Sequence, residues 1–167
     1  MSVVPATAPN EIRIRVAECA VAGTGILSTI GLGSCVAIAL YDASARVGGL
    51  AHILLPDRST AKVATNLAKF PDTAVPLMLA QMQRLGASRS RVRAKIVGGA
   101  SMFEGTLEPG TASIGQRNVE ATRQVLTGAG ILVEAEDVGG DHGRSVFLYL
   151  DDGRVEVRSA RTSTRVL

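Results

Sequence analysis

The residues most able to do chemistry are one cysteine and one histidine at matching positions in two neighbouring apolar segments. Cys35 ends the glycine-rich segment 31–35, just before the first apolar segment, and His52 lies inside the second, residues 47–55. If the two segments form a β-hairpin around a turn at 42–45, the side chains face each other with Cβ atoms roughly 4.5–5.5 Å apart. An imidazole at that separation can take the proton of a thiol, which is what activation of a cysteine nucleophile requires.

Two registers of this hairpin keep the pair together. A two-residue loop at Ala43 and Ser44 places His52 directly opposite Cys35, but this loop lacks the Asn or Gly that such turns favour. A loop two residues longer places His52 diagonal to Cys35 on the same face of the sheet. A shift of one residue would send the two side chains to opposite faces. The sequence therefore predicts that Cys35 and His52 share a site with either the two-residue loop or the loop that is two residues longer.

Residues next to the pair supply the other groups that this chemistry needs. Gly33 and Ser34 allow a sharp turn before the thiol, which brings backbone N–H groups near the sulfur, where they can hold an oxyanion or a thiolate. Thr29, on a predicted strand, is placed to hydrogen-bond His52 and fix its tautomer, although an ordinary strand threonine explains the residue almost equally well. We predict Cys35 as nucleophile, His52 as base, Thr29 as orienting group, and the backbone at Gly33 and Ser34 as oxyanion donor.

Other uses of the same residues have weaker support. His142 with Cys35 and Cys19 is a candidate zinc site, but no Cys-x-x-Cys or His-x-x-x-His spacing accompanies it, so we expect a loop histidine, no metal and no other cofactor. A Cys19–Cys35 disulfide is a second alternative, ranked below free thiols because no export signal is recognised. Met102 and Phe103 follow a glycine pair and are either core residues or a small partner-binding patch.

Length and composition fit one globular domain. The chain has 167 residues, of which 46% are hydrophobic but only 3% aromatic, so the core must consist of Val, Ile, Leu and Ala. No segment approaches the roughly 18 apolar residues of a membrane span, and the scarcity of aromatic rings argues against nucleic-acid binding by base stacking. We expect a flexible leader at 1–10, one cytoplasmic domain at 11–158 that is not inserted in a membrane, and a solvated basic tail at 159–167.

Two helices and a series of strands are predicted from periodicity and capping signals. Alternation over residues 11–18 predicts a half-buried strand. The first helix is predicted to begin at Asp72 or Thr73, and the second at Ser113, which can form a capping box with Gln116. Further strands are predicted at residues 26–30, 36–41, 47–55, 93–97, 131–138, 146–150 and 155–157.

Five motifs occur in order along nearly the whole chain, from about Arg13 to Arg158. They are TIGLGSC at 29–35, GGLAHILLP at 48–56, KIVGGASMF at 95–103, IGQRN at 114–118, and EDVGG at 136–140, followed by Arg144. Together they closely resemble one family, the chemoreceptor glutamine deamidases called CheD.

This resemblance implies a cysteine hydrolase with an α+β fold, a three-layer α/β/β arrangement with mixed or antiparallel sheets and two main helices, similar to the catalytic domain of cytotoxic necrotizing factors. It places the nucleophile on Cys35, the base on His52 and the orienting threonine on Thr29. The implied activity is deamidation of glutamines in the cytoplasmic part of methyl-accepting chemoreceptors, with hydrolysis of receptor methyl esters as a further activity. The implied partner is a CheC-type phosphatase, the chain being a monomer or a heterodimer with CheC. The alternative function is a non-catalytic adaptor that binds CheC and receptors.

Overall fold

The computed structural model describes residues 10–60, 65–102, 108–161 and 163–167, so most of the predicted leader and Phe103 lie outside the described residues. The described helices are α1 (Pro71–Arg84), α2 (Ile114–Gly128) and the 3-10 helices Arg58–Thr60, Leu67–Lys69 and Arg89–Arg91. The described strands are β1 (Glu11–Arg13), β2 (Cys19–Ala22), β3 (Ile26–Leu32), β4 (Val36–Asp42), β5 (Val47–Ile53), β6 (Arg93–Gly98), β7 (Leu132–Val138), β8 (Arg144–Tyr149), β9 (Val155–Arg158) and β10 (Arg165–Val166).

The strands form two mixed sheets that pack against each other. One sheet has the order β1-β3-β8-β9-β10 and contains the parallel pair β1–β3, and the other has the order β2-β5-β4-β6-β7 and contains the parallel pair β6–β7. Helices α1 and α2 pack against the second sheet. The fold is therefore α+β, as predicted, with the helices, the second sheet and the first sheet following one another as layers.

Strands β4 and β5 lie at the centre of this arrangement, which explains their continuous apolar sequence. Val36 and Ile38 belong to the apolar cluster that includes the helices, whereas Ala37 and Ala39 belong to the cluster between the sheets. Because successive side chains of a strand point to opposite faces, a strand buried on both faces has no polar side to alternate with. The small alanines on the inter-sheet face let the two sheets approach closely.

The helix starts follow different rules. Helix α1 begins at Pro71 after Phe70, without a side-chain cap, so the prediction of Asp72 or Thr73 as its cap is wrong; proline suits this position because its missing N–H has no partner in a first turn. Helix α2 begins as predicted, since the Ser113 hydroxyl accepts from the Gln116 amide and the Gln116 side chain accepts from the Ser113 amide. Within the described ranges, neither helix has the length and hydrophobicity required to cross a bilayer.

The predicted strand over residues 11–18 is wrong beyond Arg13. The Ile14 amide still donates to Ser28 of the first sheet, but the Ala17 amide donates to the His52 carbonyl of the second sheet at 2.9 Å. Ala17 has a φ of 63°, a left-handed conformation that lets the chain turn between the two layers. Periodicity alone missed this crossing because the apolar alternation continues through the turn.

The end of the chain is held more firmly than a solvated tail would be. Strand β10 pairs with β9, and Leu167 exchanges backbone hydrogen bonds with Val155. The Lys95 ammonium also donates to the Leu167 carbonyl at 2.7 Å. The side chains of this segment are mostly exposed, as expected, but its backbone at residues 165–167 extends the edge of the first sheet.

Candidate active site

Strands β4 and β5 pair with Ala37 opposite His52, which is the register with the longer loop. The directly opposed arrangement of Cys35 and His52 is therefore wrong, and the diagonal alternative holds. Cys35 lies just before β4, two residues from Ala37, and both pack in the apolar cluster between the sheets. The thiol and the imidazole thus share the face of the second sheet that meets the first sheet.

The side chain of Asp42 explains the longer loop. Its Oδ1 accepts hydrogen bonds from the backbone amides of Ser44 at 3.0 Å and Ala45 at 3.2 Å, an Asx-type turn that does not need glycine. Arg46 then takes a left-handed conformation, with φ of 54°, before β5 begins. The loop consequently spans residues 43–46, and the aspartate at its start was the available signal for it.

Thr29 and His52 come from different sheets and meet between them. Thr29 lies on β3 and His52 on β5, both without solvent exposure, and Thr29 Oγ1 is 2.7 Å from His52 Nδ1. Thr29 Oγ1 also donates to the Ile14 carbonyl oxygen at 3.0 Å. Since the hydroxyl has one proton and the carbonyl can only accept, the Thr29 oxygen must accept from Nδ1–H. The neutral imidazole therefore carries its lone pair on Nε2, as a general base requires.

The electrostatics of the imidazole favour this neutral form. His52 Nε2 is buried and has no hydrogen-bond partner among the described residues. Burial lowers the pKa of His52 from its usual 6.5 to about 4, because an apolar environment disfavours the imidazolium. Both backbone groups of His52 are hydrogen-bonded: its carbonyl accepts from the Ala17 amide and its amide donates to the Glu18 carbonyl. The backbone that carries the imidazole ring is therefore held in place.

Cys35 is the member of the three that reaches the surface. Its residual exposure is 8%, whereas Thr29 and His52 have none, so Cys35 is the one of the three that a substrate can reach directly. Burial raises the pKa of the Cys35 thiol above its ordinary value. The resting site therefore contains a thiol and a neutral imidazole rather than a thiolate and an imidazolium.

Cys19 does not belong to this site. It lies on β2 opposite Ala51 and packs with the cluster that includes the helices, on the other face of the second sheet from Cys35. Both thiols are free. Within the described ranges, no three His, Cys, Asp or Glu side chains come together in an arrangement able to hold a metal ion, so the weaker alternative of a zinc site at His142 and the two cysteines is not found.

The turn before the thiol is held by its carbonyl groups. The Gly33 carbonyl accepts from the Ala100 amide at 2.8 Å, and the Cys35 carbonyl accepts from the Gly99 amide at 2.8 Å. In the described ranges, neither the amides of the predicted oxyanion donors Gly33 and Ser34 nor that of Cys35 donates a backbone hydrogen bond. This is the arrangement expected of backbone donors kept available for an oxyanion.

Sequence reasoning missed Asn118, which holds the remaining carbonyl of the turn. This residue of α2 is fully buried, and its Nδ2 donates to the Ser34 carbonyl at 3.0 Å and to the Leu54 carbonyl at 3.1 Å. The available signal was an asparagine in the interior of an amphipathic helix, at a position that should face the core.

Met102 lies over the same turn. Its side chain is 53% exposed, and a Cβ built on Gly33 would be 3.2 Å from the Met102 sulfur. Beside it is a surface cleft of about 480 Å³, whose lining includes Gly31, Arg144 and Arg161. Met102 is therefore not a core residue, while its predicted role with Phe103 in binding a partner stays a prediction.

These features define an α+β protein in which two packed sheets bring an imidazole and a hydroxyl into contact and place a thiol, after a carbonyl-anchored turn, on the same inter-sheet face. A family model described as "CheD chemotactic sensory transduction" matches residues 54–159. A protein from Desulforamulus reducens is 42% identical over 94% of this chain and 95% of its own length, and one from Archaeoglobus fulgidus is 45% identical over 91% and 95%. Both are named "Probable chemoreceptor glutamine deamidase CheD". The chain belongs to the CheD family.

A solved structure of the Bacillus licheniformis hypothetical protein YfiH is similar at a lower level. Its TM-score is 0.45, with 17% identity over 72% of this chain and 49% of that one, which is too low to relate the two sites.

Proposed function

We propose that this chain is a chemoreceptor glutamine deamidase that works through a thioester on Cys35. The observation that carries the proposal is the proton arrangement at His52. Its Nδ1–H is engaged by Thr29, and its Nε2, which has no partner among the described residues, lies on the sheet face shared with Cys35. The names of the two relatives supply the substrate class, glutamine side chains of chemoreceptors.

In the first step, His52 Nε2 takes the proton of Cys35 while the sulfur attacks the side-chain amide carbon of a substrate glutamine. Burial keeps the proton on the sulfur in the resting site, so the proton transfer accompanies the attack. As the S–C bond forms, an electron pair of the C=O bond moves onto the amide oxygen. The backbone amides of Ser34 and Cys35 stabilise the resulting oxyanion. Proton transfer by His52 is expected to contribute about 10²–10⁴-fold to the rate.

In the second step, the oxyanion collapses and the C–N bond breaks. His52 gives its proton to the departing nitrogen, which leaves as ammonia, and the acyl group remains on Cys35 as a thioester. His52 then takes a proton from water, and the hydroxide attacks the thioester carbon. The C–S bond breaks, the proton returns to the sulfur, and the product is a glutamate side chain.

The same steps apply to a glutamate methyl ester with methanol as the leaving group, so we extend the proposal to ester hydrolysis. We further propose the cytoplasmic part of the receptors as substrate, a cytoplasmic location, and a CheC-type phosphatase as partner of a monomeric chain. We also propose that the α/β/β layers are similar in fold to the catalytic domain of cytotoxic necrotizing factors.

The test is mass spectrometry of receptor cytoplasmic fragments, together with ammonia release. Wild-type protein and Cys19→Ala, the matched control for loss of a thiol outside the site, are expected to add about one dalton per modified glutamine. Cys35→Ala and His52→Gln are expected to leave the fragment unchanged while remaining folded. Deamidation by folded Cys35→Ala would end the proposal.

A non-catalytic adaptor is the second candidate function, and the exposed Met102 beside the nucleophile turn favours it. This function predicts that binding of receptor fragments or CheC survives Cys35→Ala but is lost in Met102→Glu. A pull-down with both variants separates binding from catalysis. Loss of binding in Cys35→Ala alone would count against the adaptor.

A further inference from the structure

We propose that Asn118 is a positioning residue that aims the Cys35 N–H at the oxyanion. The inference rests on the proposed function, since it concerns the transition state of the same reaction. Asn118 lies on α2, in the helix layer of the fold. Its side chain contacts Ser34 and Leu54, which flank strands β4 and β5 of the second sheet.

The Asn118 side chain links the nucleophile turn to the end of the strand that carries the base. Nδ2 supplies one proton to the Ser34 carbonyl and the other to the Leu54 carbonyl, two residues after His52. One buried amide therefore holds the segment before Cys35 and the segment after His52 at a fixed separation.

The planarity of the peptide group converts this contact into control of a donor. The Ser34 carbonyl and the Cys35 N–H belong to one peptide unit, and in a trans peptide they point in opposite directions within one plane. Holding the Ser34 oxygen from the side of α2 therefore fixes the direction of the Cys35 N–H on the other side. That N–H donates to no group in the described part of the chain, so no hydrogen bond of its own fixes its direction.

The orientation of the Asn118 amide is determined by its neighbours. Both contacted groups are carbonyl oxygens, so exchanging Nδ2 and Oδ1 would bring three acceptors together. With this orientation Oδ1 is buried without a partner in the described ranges. A buried acceptor without a partner destabilises a fold, so this arrangement is tolerated at the residue that orients the turn.

Helix α2 is well suited to hold Asn118 in place. A Cβ on Gly115 would lie 2.4 Å from the Ala100 carbonyl oxygen and 2.6 Å from that of Gly99, so the absence of a side chain lets the first turn of α2 sit directly on this backbone. The amides of Gly99 and Ala100 hold the other two carbonyls of the nucleophile turn. The three carbonyl contacts thus form one rigid unit.

The experiment compares Asn118→Ala and Asn118→Asp with Thr122→Val in a Cys19→Ala background. Thr122 is buried on the next turn of α2, and its hydroxyl donates to the Asn118 backbone carbonyl at 2.8 Å, so its loss costs helix stability without touching the turn. Complete loss of one oxyanion donor lowers kcat roughly 10²–10³-fold, and we expect misdirection to lower it about 10- to 100-fold with little change in KM. The alkylation rate of Cys35 by iodoacetamide, which forms no oxyanion, should stay within about threefold of the background protein.

The outcomes separate this inference from the proposed function. An unchanged kcat in a folded Asn118 variant, or a parallel fall in alkylation and deamidation, would overturn the positioning role while leaving Cys35 chemistry intact. An inactive Cys19→Ala background would instead end the proposed function. If neither Asn118 variant folds, hydrogen exchange of the wild type decides: the Asn118 side-chain protons should exchange slowly, and fast exchange would refute the inference.

Discussion

Protonation of His52 is expected to produce a large loss of stability in weak acid. Burial lowers the His52 pKa from 6.5 to about 4 in the folded protein. Between these two pH values the unfolded chain binds a proton that the folded protein does not, so the free energy of unfolding falls as the pH drops from about 6.5 to about 4. Because one pKa unit corresponds to about 1.36 kcal/mol, the full loss is about 3 kcal/mol.

The assay is urea unfolding at pH 7 and pH 4.5 for the wild type and His52→Gln. Carboxylates titrate in both proteins, so the difference between them isolates the imidazole. We expect the wild type to lose about 2–3 kcal/mol more than His52→Gln over this interval. The chain has two histidines, so an NMR titration with His142→Asn identifies the His52 signal directly.

Equal pH dependence of the two proteins would refute the reasoning, as would a His52 signal that titrates near 6.5. Either result would mean that the ring is solvated in solution. It would also remove the reason for a neutral thiol and imidazole in the resting site.

Three further predictions concern groups around the site. Thr29→Val leaves a buried imidazole N–H unpaired at a cost of about 1–3 kcal/mol, so kcat should fall about 10- to 100-fold. Thr29→Ser should restore kcat. Ammonia release by the valine variant equal to that of the wild type would contradict the assigned tautomer. Gly98→Ala places a Cβ 2.4 Å from the Cys35 carbonyl oxygen, whereas Gly86→Ala, also at positive φ, meets nothing within 4 Å. Both should be strained, but only the first should lose most deamidase activity, and similar activities would count against the turn geometry. Asp42→Asn should lower the free energy of unfolding at pH 7 by about 2–3 kcal/mol. Although burial raises the pKa of Asp42, hydrogen bonds from a neighbouring guanidinium and backbone amides lower it overall. The difference in free energy of unfolding between the wild type and Asp42→Asn should therefore vanish as the pH falls through that lowered pKa. A difference that persists in strong acid would disprove this role.

Local patterns in the sequence predicted much of the central hairpin. Because side-chain direction repeats every two residues along a strand, the sequence placed Cys35 and His52 on one face of the sheet for both of the loop lengths considered. The capping box at Ser113 and Gln116 was likewise visible, since both of its hydrogen bonds lie within four residues.

Where local patterns failed, one failure came from a distant contact and two came from local features that the patterns did not include. The strand expected over residues 11–18 ends early because the chain leaves one sheet to bond the backbone of His52 in the other. Helix α1 begins at Pro71 rather than at a polar cap. The loop at 43–46 is longer than the minimal hairpin because the Asp42 side chain captures two of its amides.

The sequence by itself determined the chemical identities of the site, namely a thiol and an imidazole on one side of a β-ribbon after a glycine-rich turn. The tertiary structure alone decided the tautomer of His52 and the directions in which the pKa values of His52 and Cys35 shift, because these depend on contacts and burial between the sheets. It also decided the partners: Thr29 meets His52 across 23 residues of chain, and Asn118 meets Ser34 across 84. No periodicity in the sequence extends over such separations, so only the packing of the layers could bring these groups together.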